Sequence, residues 1–131
     1  MKVDHIGYIT DNIDQSSVEF IRLGYTKGNV VADEIQKCNI CFLTNELGER
    51  IELVEPFENN KSLQKLLTQR GVSPYHTCYV VDDVEALFDE LSEQAGWMPL
   101  FRPVEAAAFG NRLIMYFYNA AIGYVEFVNK K

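Results

Sequence analysis

The amino-acid sequence predicts an α+β protein built from two tandem βαβββ modules. When the chain is shifted by 71 positions (76 minus 5), residues 3–14, VDHIGYITDNID, align with residues 74–85, PYHTCYVVDDVE. Both segments are strand-like runs that lead into an acidic helix start, and the alignment pairs the two histidines of the chain, His5 and His76. With 131 residues, 47% of them hydrophobic, the chain is long enough to bury one core. We therefore expect a single domain over residues 1–131.

The first module is expected over about residues 1–56. Its predicted elements are a strand over residues 2–10, a helix that ends near residue 23, and strands over residues 26–31, 37–44 and 50–54. Asp11 or Asn12 is expected to cap the helix, because short polar side chains accept from the first free N–H groups. The apolar side chains of Val18, Ile21 and Phe20 are expected to face the core.

A linker over about residues 57–73, with a short helix near residues 62–69, is expected to precede the second module, about residues 74–131. The predicted elements of that module are a strand over 75–81, a helix capped by Asp82 or Asp83, and strands over 97–101, 112–118 and 124–128, with an irregular stretch over 103–110. The helix is indicated by apolar residues at helical spacing: Val84, Leu87, Phe88, Leu91 and Ala95.

Composition excludes several classes of function. The net charge of −7 argues against sequence-independent binding of nucleic acid, which requires clustered Lys and Arg. No apolar run approaches the roughly 20 residues of a membrane span, and the N-terminus has no signal-like segment.

The three cysteines fit a reducing compartment, so we expect a cytoplasmic protein. A sheet with open edges favours a homodimer.

Two glutamates stand at related positions in the last strand of each module. The segment I-E-L-V superposes on V-E-F-V, which pairs Glu52 with Glu126. Because alternate side chains of a strand share a face, each glutamate is expected to point away from its apolar neighbours. The same alternation places His5 opposite Ile6, and His76 on the corresponding side of its own strand.

Two histidines and two glutamates at repeat-related positions form a donor set suited to a divalent metal ion. The two negative charges of the carboxylates balance the two positive charges of the ion, and the imidazoles are neutral. This balance explains how the acidic side chains can be buried, because a buried charge is costly without a partner. The alternative is that each histidine and each glutamate is a structural residue satisfied by hydrogen bonds. A structural role would then have to apply separately at all four of these positions. Cys38 and Cys41 form a C-x-x-C pattern, but in a strand their side chains point to opposite faces, so we expect them to be packing residues.

The sequence resembles the vicinal-oxygen-chelate superfamily, which includes glyoxalases, bleomycin-resistance proteins and dioxygenases. The resemblance rests on D-H-I-G near the N-terminus, L-G-Y after the first helix, I-E-L-V-E-P, a second histidine near the middle and V-E-F near the end. It is nearest to methylmalonyl-CoA epimerase and glyoxalase I. It implies a cupped, mostly antiparallel eight-stranded sheet with helices on its outer face. It also implies one divalent ion (Co, Ni, Mn, Zn or Mg) held by His5, Glu52, His76 and Glu126.

The resemblance further implies an isomerase or lyase that moves a proton next to a carbonyl through a metal-stabilised enolate. Glu126 and Glu34 would be the acid/base pair, although the epimerase element around the second glutamate has Pro and Gly that are absent from Ala32–Gln36. The expected substrate is a CoA thioester, as for methylmalonyl-CoA epimerase, or a glutathione hemithioacetal, as for glyoxalase I. A metal-free antibiotic-binding protein and an extradiol dioxygenase are the alternatives from other classes.

Overall fold

Nine strands and three helices make up the chain, which a computed structural model describes over residues 1–131. The strands are β1 (Lys2–Ile9), β2 (Thr26–Asp33), β3 (Cys38–Thr44), β4 (Arg50–Pro56), β5 (Ser73–Val81), β6 (Met98–Pro99), β7 (Val104–Ala106), β8 (Arg112–Asn119) and β9 (Gly123–Asn129). The helices are α1 (Ile13–Arg22), α2 (Lys61–Arg70) and α3 (Val84–Ser92), and a 3-10 turn covers Ala107–Phe109.

All the strands belong to one open sheet with the order β2-β3-β4-β1-β5-β9-β8-β6, and β7 pairs separately with β8. Each module contributes the same arrangement, in which its first strand lies parallel to its last strand. The two modules meet where β1 runs antiparallel to β5. The predicted α+β fold with two βαβββ repeats is therefore confirmed. The repeat in sequence corresponds to a twofold pseudo-symmetry that places both histidine strands at the centre.

The sheet has one strand more than the eight predicted. Residues 103–110, expected to be irregular, contain β7 and the 3-10 turn. Val104 pairs with Ile114, and Ala106, which is buried, pairs with Arg112. A three-residue strand with one buried side chain has no alternation long enough to be detected in sequence.

The face that helix α1 presents to the core matches the prediction only in part. Phe20 packs against the core as expected, but Val18 and Ile21, which were also expected to face inward, are 50% and 49% exposed. The rest of the inner face is formed by Ile13 and Ser17, which are buried. The carboxylate of Glu55 accepts a hydrogen bond of 2.9 Å from the backbone N–H of Ile13, which fixes the rotation of the helix at its first residue.

The two faces of the sheet are covered differently. Leu53 packs in a cluster with Ile13 of α1, and Phe127 packs in a cluster with Val84 of α3, so α1 and α3 lie on the outer face as expected. Helix α2 lies on the opposite side, because Leu66 packs against Val54, the neighbour of Leu53 on β4. The linker helix therefore covers the same face of β4 as Glu52.

None of the three helices is both long and apolar enough to cross a membrane.

Candidate metal centre

The four predicted ligands lie on four adjacent strands at the centre of the sheet. His5 is on β1, Glu52 on β4, His76 on β5 and Glu126 on β9. One potential ligand atom from each residue lies within 4.8 Å of the others. All four side chains are buried, with exposures of 1% for His5, 2% for Glu52, 4% for His76 and 2% for Glu126. The structure therefore brings the four residues together, whereas their role as ligands stays a prediction.

The donor atoms converge on a small central space. The Nε2 atoms of His5 and His76 are 3.1 Å apart. Each Nε2 atom lies 3.1 Å from Oε1 of Glu126 and 3.3 Å from Oε1 of Glu52. Both carboxylate Oε1 atoms are buried and lack a hydrogen bond of acceptable geometry. Buried polar atoms without partners are costly, and a divalent ion between two imidazoles and two carboxylates would satisfy them. The residues present thus fit a metal ion.

His5 is oriented by its neighbour in the D-H-I-G segment. The Nδ1 atom of His5 lies 2.8 Å from a carboxylate oxygen of Asp4. Nη1 of Arg50 donates to both oxygens of Asp4, at 3.1 and 3.3 Å, and the guanidinium lies 4.0 Å from the ring centroid of Phe42. A carboxylate that accepts from Nδ1 of a histidine directs Nε2 toward a metal. Asp4 and Arg50 therefore form a second layer around the site.

Gly7 makes room for the second histidine. Gly7 and His76 are directly paired across β1 and β5. A Cβ atom at position 7 would lie 1.9 Å from Cε1 of the His76 ring, far inside van der Waals contact. The glycine of D-H-I-G is therefore required by close approach of an imidazole.

Burial and charge act against each other on the titratable groups. Burial by itself lowers the pKa of His5, but the charge of Glu52 and the nearby carboxylates of Asp4 and Glu126 raise that pKa well above its ordinary value. Burial also lowers the pKa of His76, but the nearby carboxylates of Glu126 and Glu52 outweigh burial and raise it. Burial raises the pKa of Glu52, but the two nearby histidines hold it well below its usual range. The carboxylates therefore favour protonation of both imidazoles.

A cavity of about 460 Å³ opens beside the four clustered residues. Of these four, only Glu52 lines the cavity, together with Tyr75 and Tyr116. The phenol oxygen of Tyr116 lies 3.3 Å from Nε2 of His76, so this side chain connects the cavity to the cluster. The remaining wall is formed by Ile35, Gln36, Cys38, Ile40, Val54, Asn60, Ser62, Leu63, Leu66, Leu100, Phe101 and Tyr124.

Glu34, predicted as the second acid/base residue, lies apart from this cluster. It is exposed in the turn between β2 and β3 and does not line the cavity, although the next residue, Ile35, does. Asp33 accepts hydrogen bonds from the backbone N–H groups of Ile35 and Gln36, which holds the turn. The role of Glu34 stays a prediction.

Two residues of the site carried weaker signals in the sequence. Asp4 directly precedes His5, and an adjacent carboxylate is a signal that could have identified it as the orienting group. Tyr116 lies within a run of aromatic strand residues, and only the pairing of β8 with β9 in the sheet brings its hydroxyl to His76.

A known family model covers most of the chain. Residues 4–116 match the family model of the glyoxalase/bleomycin resistance protein/dioxygenase superfamily. The chain belongs to that superfamily. This assignment confirms the resemblance seen in the sequence, and the superfamily named in the match includes both enzymes and binding proteins. No curated protein sequence matches the chain.

Three solved structures illustrate the shared fold. A hypothetical protein, BH1468, from Bacillus halodurans C-125 is 25% identical, with a TM-score of 0.84 over 99% of this chain and 94% of its own. Methylmalonyl-CoA epimerase from Mycobacterium tuberculosis is 20% identical, with a TM-score of 0.83 over 98% and 87%. A variant of the Streptomyces coelicolor epimerase in complex with 2-nitronate-propionyl-CoA is 21% identical, with a TM-score of 0.81 over 99% and 97%.

Proposed function

We propose that the protein is a metal-dependent isomerase or lyase that moves a proton next to a carbonyl group, in the manner of a methylmalonyl-CoA epimerase. One observation carries the proposal. Two imidazoles and two carboxylates with unsatisfied oxygens converge in the buried centre of the sheet, beside a cavity large enough for a small molecule. The fold match to epimerases from two organisms is consistent with it.

His5, Glu52, His76 and Glu126 would hold the ion. A divalent ion bound there would act as a Lewis acid toward the carbonyl oxygen of the substrate. The protein contributes rigidity, because Asp4 orients His5 and the close contact with Gly7 places His76. Burial excludes water from the ligands, which strengthens electrostatic interactions with a developing negative charge.

Proton transfer requires a base and an acid on opposite faces of the substrate. We assign these roles to Glu126 and Glu34, following the resemblance to epimerases. One carboxylate takes the proton from the carbon next to the carbonyl, and the conjugate acid of the other returns a proton to the opposite face. Neither residue lines the cavity, so both carboxylates must move toward the substrate.

Glyoxalase I chemistry on a glutathione hemithioacetal is the alternative within the same mechanism. A metal-free binding protein is the alternative from another class, and the mostly apolar cavity is the observation that favours it. Ligand binding that is insensitive to a chelator would support that second class.

The test is metal reconstitution followed by an exchange assay. The chelated protein is reloaded separately with Co, Ni, Mn, Zn and Mg, and deuterium uptake from D₂O is measured on methylmalonyl-CoA and, in parallel, turnover of a hemithioacetal. We expect activity only after metal is added. Glu52→Gln should lower metal affinity and activity by roughly a hundredfold or more, because it removes one charged ligand. Glu46→Gln, the same change in an exposed turn, should alter neither.

The acid/base assignment is tested in the same assay. Glu34→Gln should retain the metal and lose exchange, whereas Glu126→Gln should impair both. A chelated protein that remains fully active, or one that cannot bind any of the five ions, would contradict the proposal.

A further inference from the structure

The wall of the cavity beside Glu52 has an unusual distribution of charge. Eleven of its 15 residues are hydrophobic, and four of them are aromatic: Tyr75, Phe101, Tyr116 and Tyr124. The polar residues are Glu52, Gln36, Asn60 and Ser62, and no Lys, Arg or His lines the space. The phenols of Tyr75 and Tyr116 are neutral, since burial raises the pKa of each. The one ionised group facing the cavity is therefore a carboxylate.

An anionic substrate group would lack a partner in such a space. Transfer of a carboxylate from water into apolar surroundings is strongly unfavourable unless a cation pairs with it. The central donor set offers no compensation, because its two carboxylates already balance the two charges of a divalent ion. Arg70 lies 6.0 Å from the ring centroid of Tyr124, but it is exposed on α2 and is not part of the wall.

The size and shape of the wall favour a bulky apolar group. An apolar cavity of about 150 Å³ holds benzene in another protein, and this cavity measures about 460 Å³. Leu63 and Leu66 of α2 form one side, and the aromatic residues provide ring faces and edges for stacking. These are contacts for an aryl or branched alkyl group.

We propose that the substrate carries an uncharged aryl or branched alkyl group on its reacting carbon, and that this group binds in the cavity between α2 and the tyrosines. This inference rests on the proposed function and narrows it. The wall offers no cationic partner for the free carboxylate of a methylmalonyl thioester.

The test compares three thioesters of N-acetylcysteamine that differ only in the group on the reacting carbon. They are the 2-phenylpropionyl, 2,3-dimethylbutyryl and methylmalonyl thioesters, which carry a phenyl, an isopropyl and a carboxylate group there. Binding to the metal-loaded protein is measured by calorimetry, and deuterium exchange at the reacting carbon is measured by proton NMR. We expect the two uncharged thioesters to bind at least roughly tenfold more tightly than the methylmalonyl thioester, because only the latter buries an unpaired charge.

A pair of variants at an exposed position tests the cause. Ser62 lines the cavity and lies exposed in the first turn of α2, so it tolerates a longer side chain. Ser62→Arg places a cation beside the wall, so it should reduce or reverse the difference in affinity between the uncharged thioesters and the methylmalonyl thioester. Ser62→Gln adds length without charge and should leave that difference unchanged.

The outcomes separate this inference from the proposed function. If the uncharged thioesters bind more tightly but show no deuterium exchange, the inferred preference for an apolar group is supported and the proposed proton-transfer reaction is contradicted. Exchange together with equal or tighter binding of the methylmalonyl thioester would support the reaction and overturn the apolar cavity. Failure of all three compounds to bind would also overturn it.

Discussion

Asp4 illustrates how the proposed metal site depends on a residue that is not itself a proposed ligand. Its carboxylate lies between Nδ1 of His5 and the guanidinium of Arg50, so it is held on both sides. Burial raises the pKa of Asp4, but the hydrogen bond with His5 and the charge of Arg50 outweigh burial and lower it. The side chain is therefore ionised at neutral pH and stabilises one orientation of the imidazole.

Asp4→Asn should weaken metal binding by roughly ten- to a hundredfold, the usual effect of removing a charged partner behind a ligating histidine. The affinity is measured by competition with a chromogenic chelator. Asp11→Asn, which removes the same charge from an exposed residue, is the control. An affinity for Asp4→Asn equal to that of the unmodified protein would contradict the orienting role.

The metal-free protein should show a pH dependence of stability set by the cluster. The pKa values of His5 and His76 are raised on folding, so their contribution is fully present below about pH 6.5 and is lost as the pH rises through the folded values. The pKa of Glu52 is lowered, so its contribution is present above about pH 4.5 and is lost as the pH falls through its folded value.

We therefore expect the free energy of unfolding of the metal-free protein to be greatest between about pH 4.5 and 6.5 and to decrease toward pH 9. Urea denaturation across this range measures it. The metal-loaded protein should lose less stability toward alkaline pH, because the ion replaces the protons. A metal-free protein that is more stable at pH 9 than at pH 6 would contradict the sign of the histidine shifts.

At the scale of elements, the pairing of β1 with β5 makes the site. It brings two strands of the repeat side by side, and the His76 ring then occupies the space where Gly7 lacks a side chain. The glycine was part of a recognised motif, but its purpose depends on a partner 69 residues away (76 minus 7). No local pattern contains that information.

Gly7→Ala should displace the His76 ring and destabilise the protein by about 1–3 kcal/mol, the typical cost of overpacking. Metal affinity should fall at the same time. The matched test is a double-mutant cycle with His76→Ala, because removing the ring removes the clash. If Gly7→Ala costs as much in the His76→Ala background as in the unmodified protein, steric contact with the imidazole is not the cause.

The helices divide between what their sequences predicted and what packing decided. Asn12 and Asp83 cap α1 and α3, each accepting a hydrogen bond from the N–H three residues later, and both were expected as caps. The inward face of α1 was predicted only in part, because Phe20 packs against the core and Val18 and Ile21 do not. The rotation of this helix is set by Glu55 of β4. Ala95 was expected in the apolar stripe of α3, but the helix ends at Ser92.

At the scale of the whole molecule, all the strands form one continuous sheet, whose four central strands, β4-β1-β5-β9, supply two of the proposed ligands from each repeat. We propose, as expected from the sequence, that residues 1–131 form one domain with modules at about 1–56 and 74–131 joined by the linker over about 57–73. Since a bound ion would join strands of both modules, it should stabilise them together. Homodimer formation and a cytoplasmic location stay predictions.

Thermal unfolding should therefore show a single transition whose midpoint increases with metal. At a free metal concentration 100 times Kd, the ion should add about 2.7 kcal/mol, which corresponds to roughly 5 to 15 °C in Tm. Calorimetric scans with and without a chelator measure the difference, and a variant with both Glu52→Gln and Glu126→Gln should not respond. Two separate transitions would contradict the single domain.

The sequence by itself determined the α+β class, the two βαβββ repeats and the four residues that meet at the centre. It did so because the register of the repeats and the alternation of side chains along a strand are properties of the chain itself. The two repeats place His5 and His76 at equivalent positions, and likewise Glu52 and Glu126. Only the tertiary structure decided which groups surround them. Arg50, the hydroxyl of Tyr116 and the apolar wall under α2 reach the site through contacts between distant segments, which periodicity within one segment does not encode. Asp4 is adjacent to His5, but its contact with Arg50 depends on the same kind of tertiary pairing.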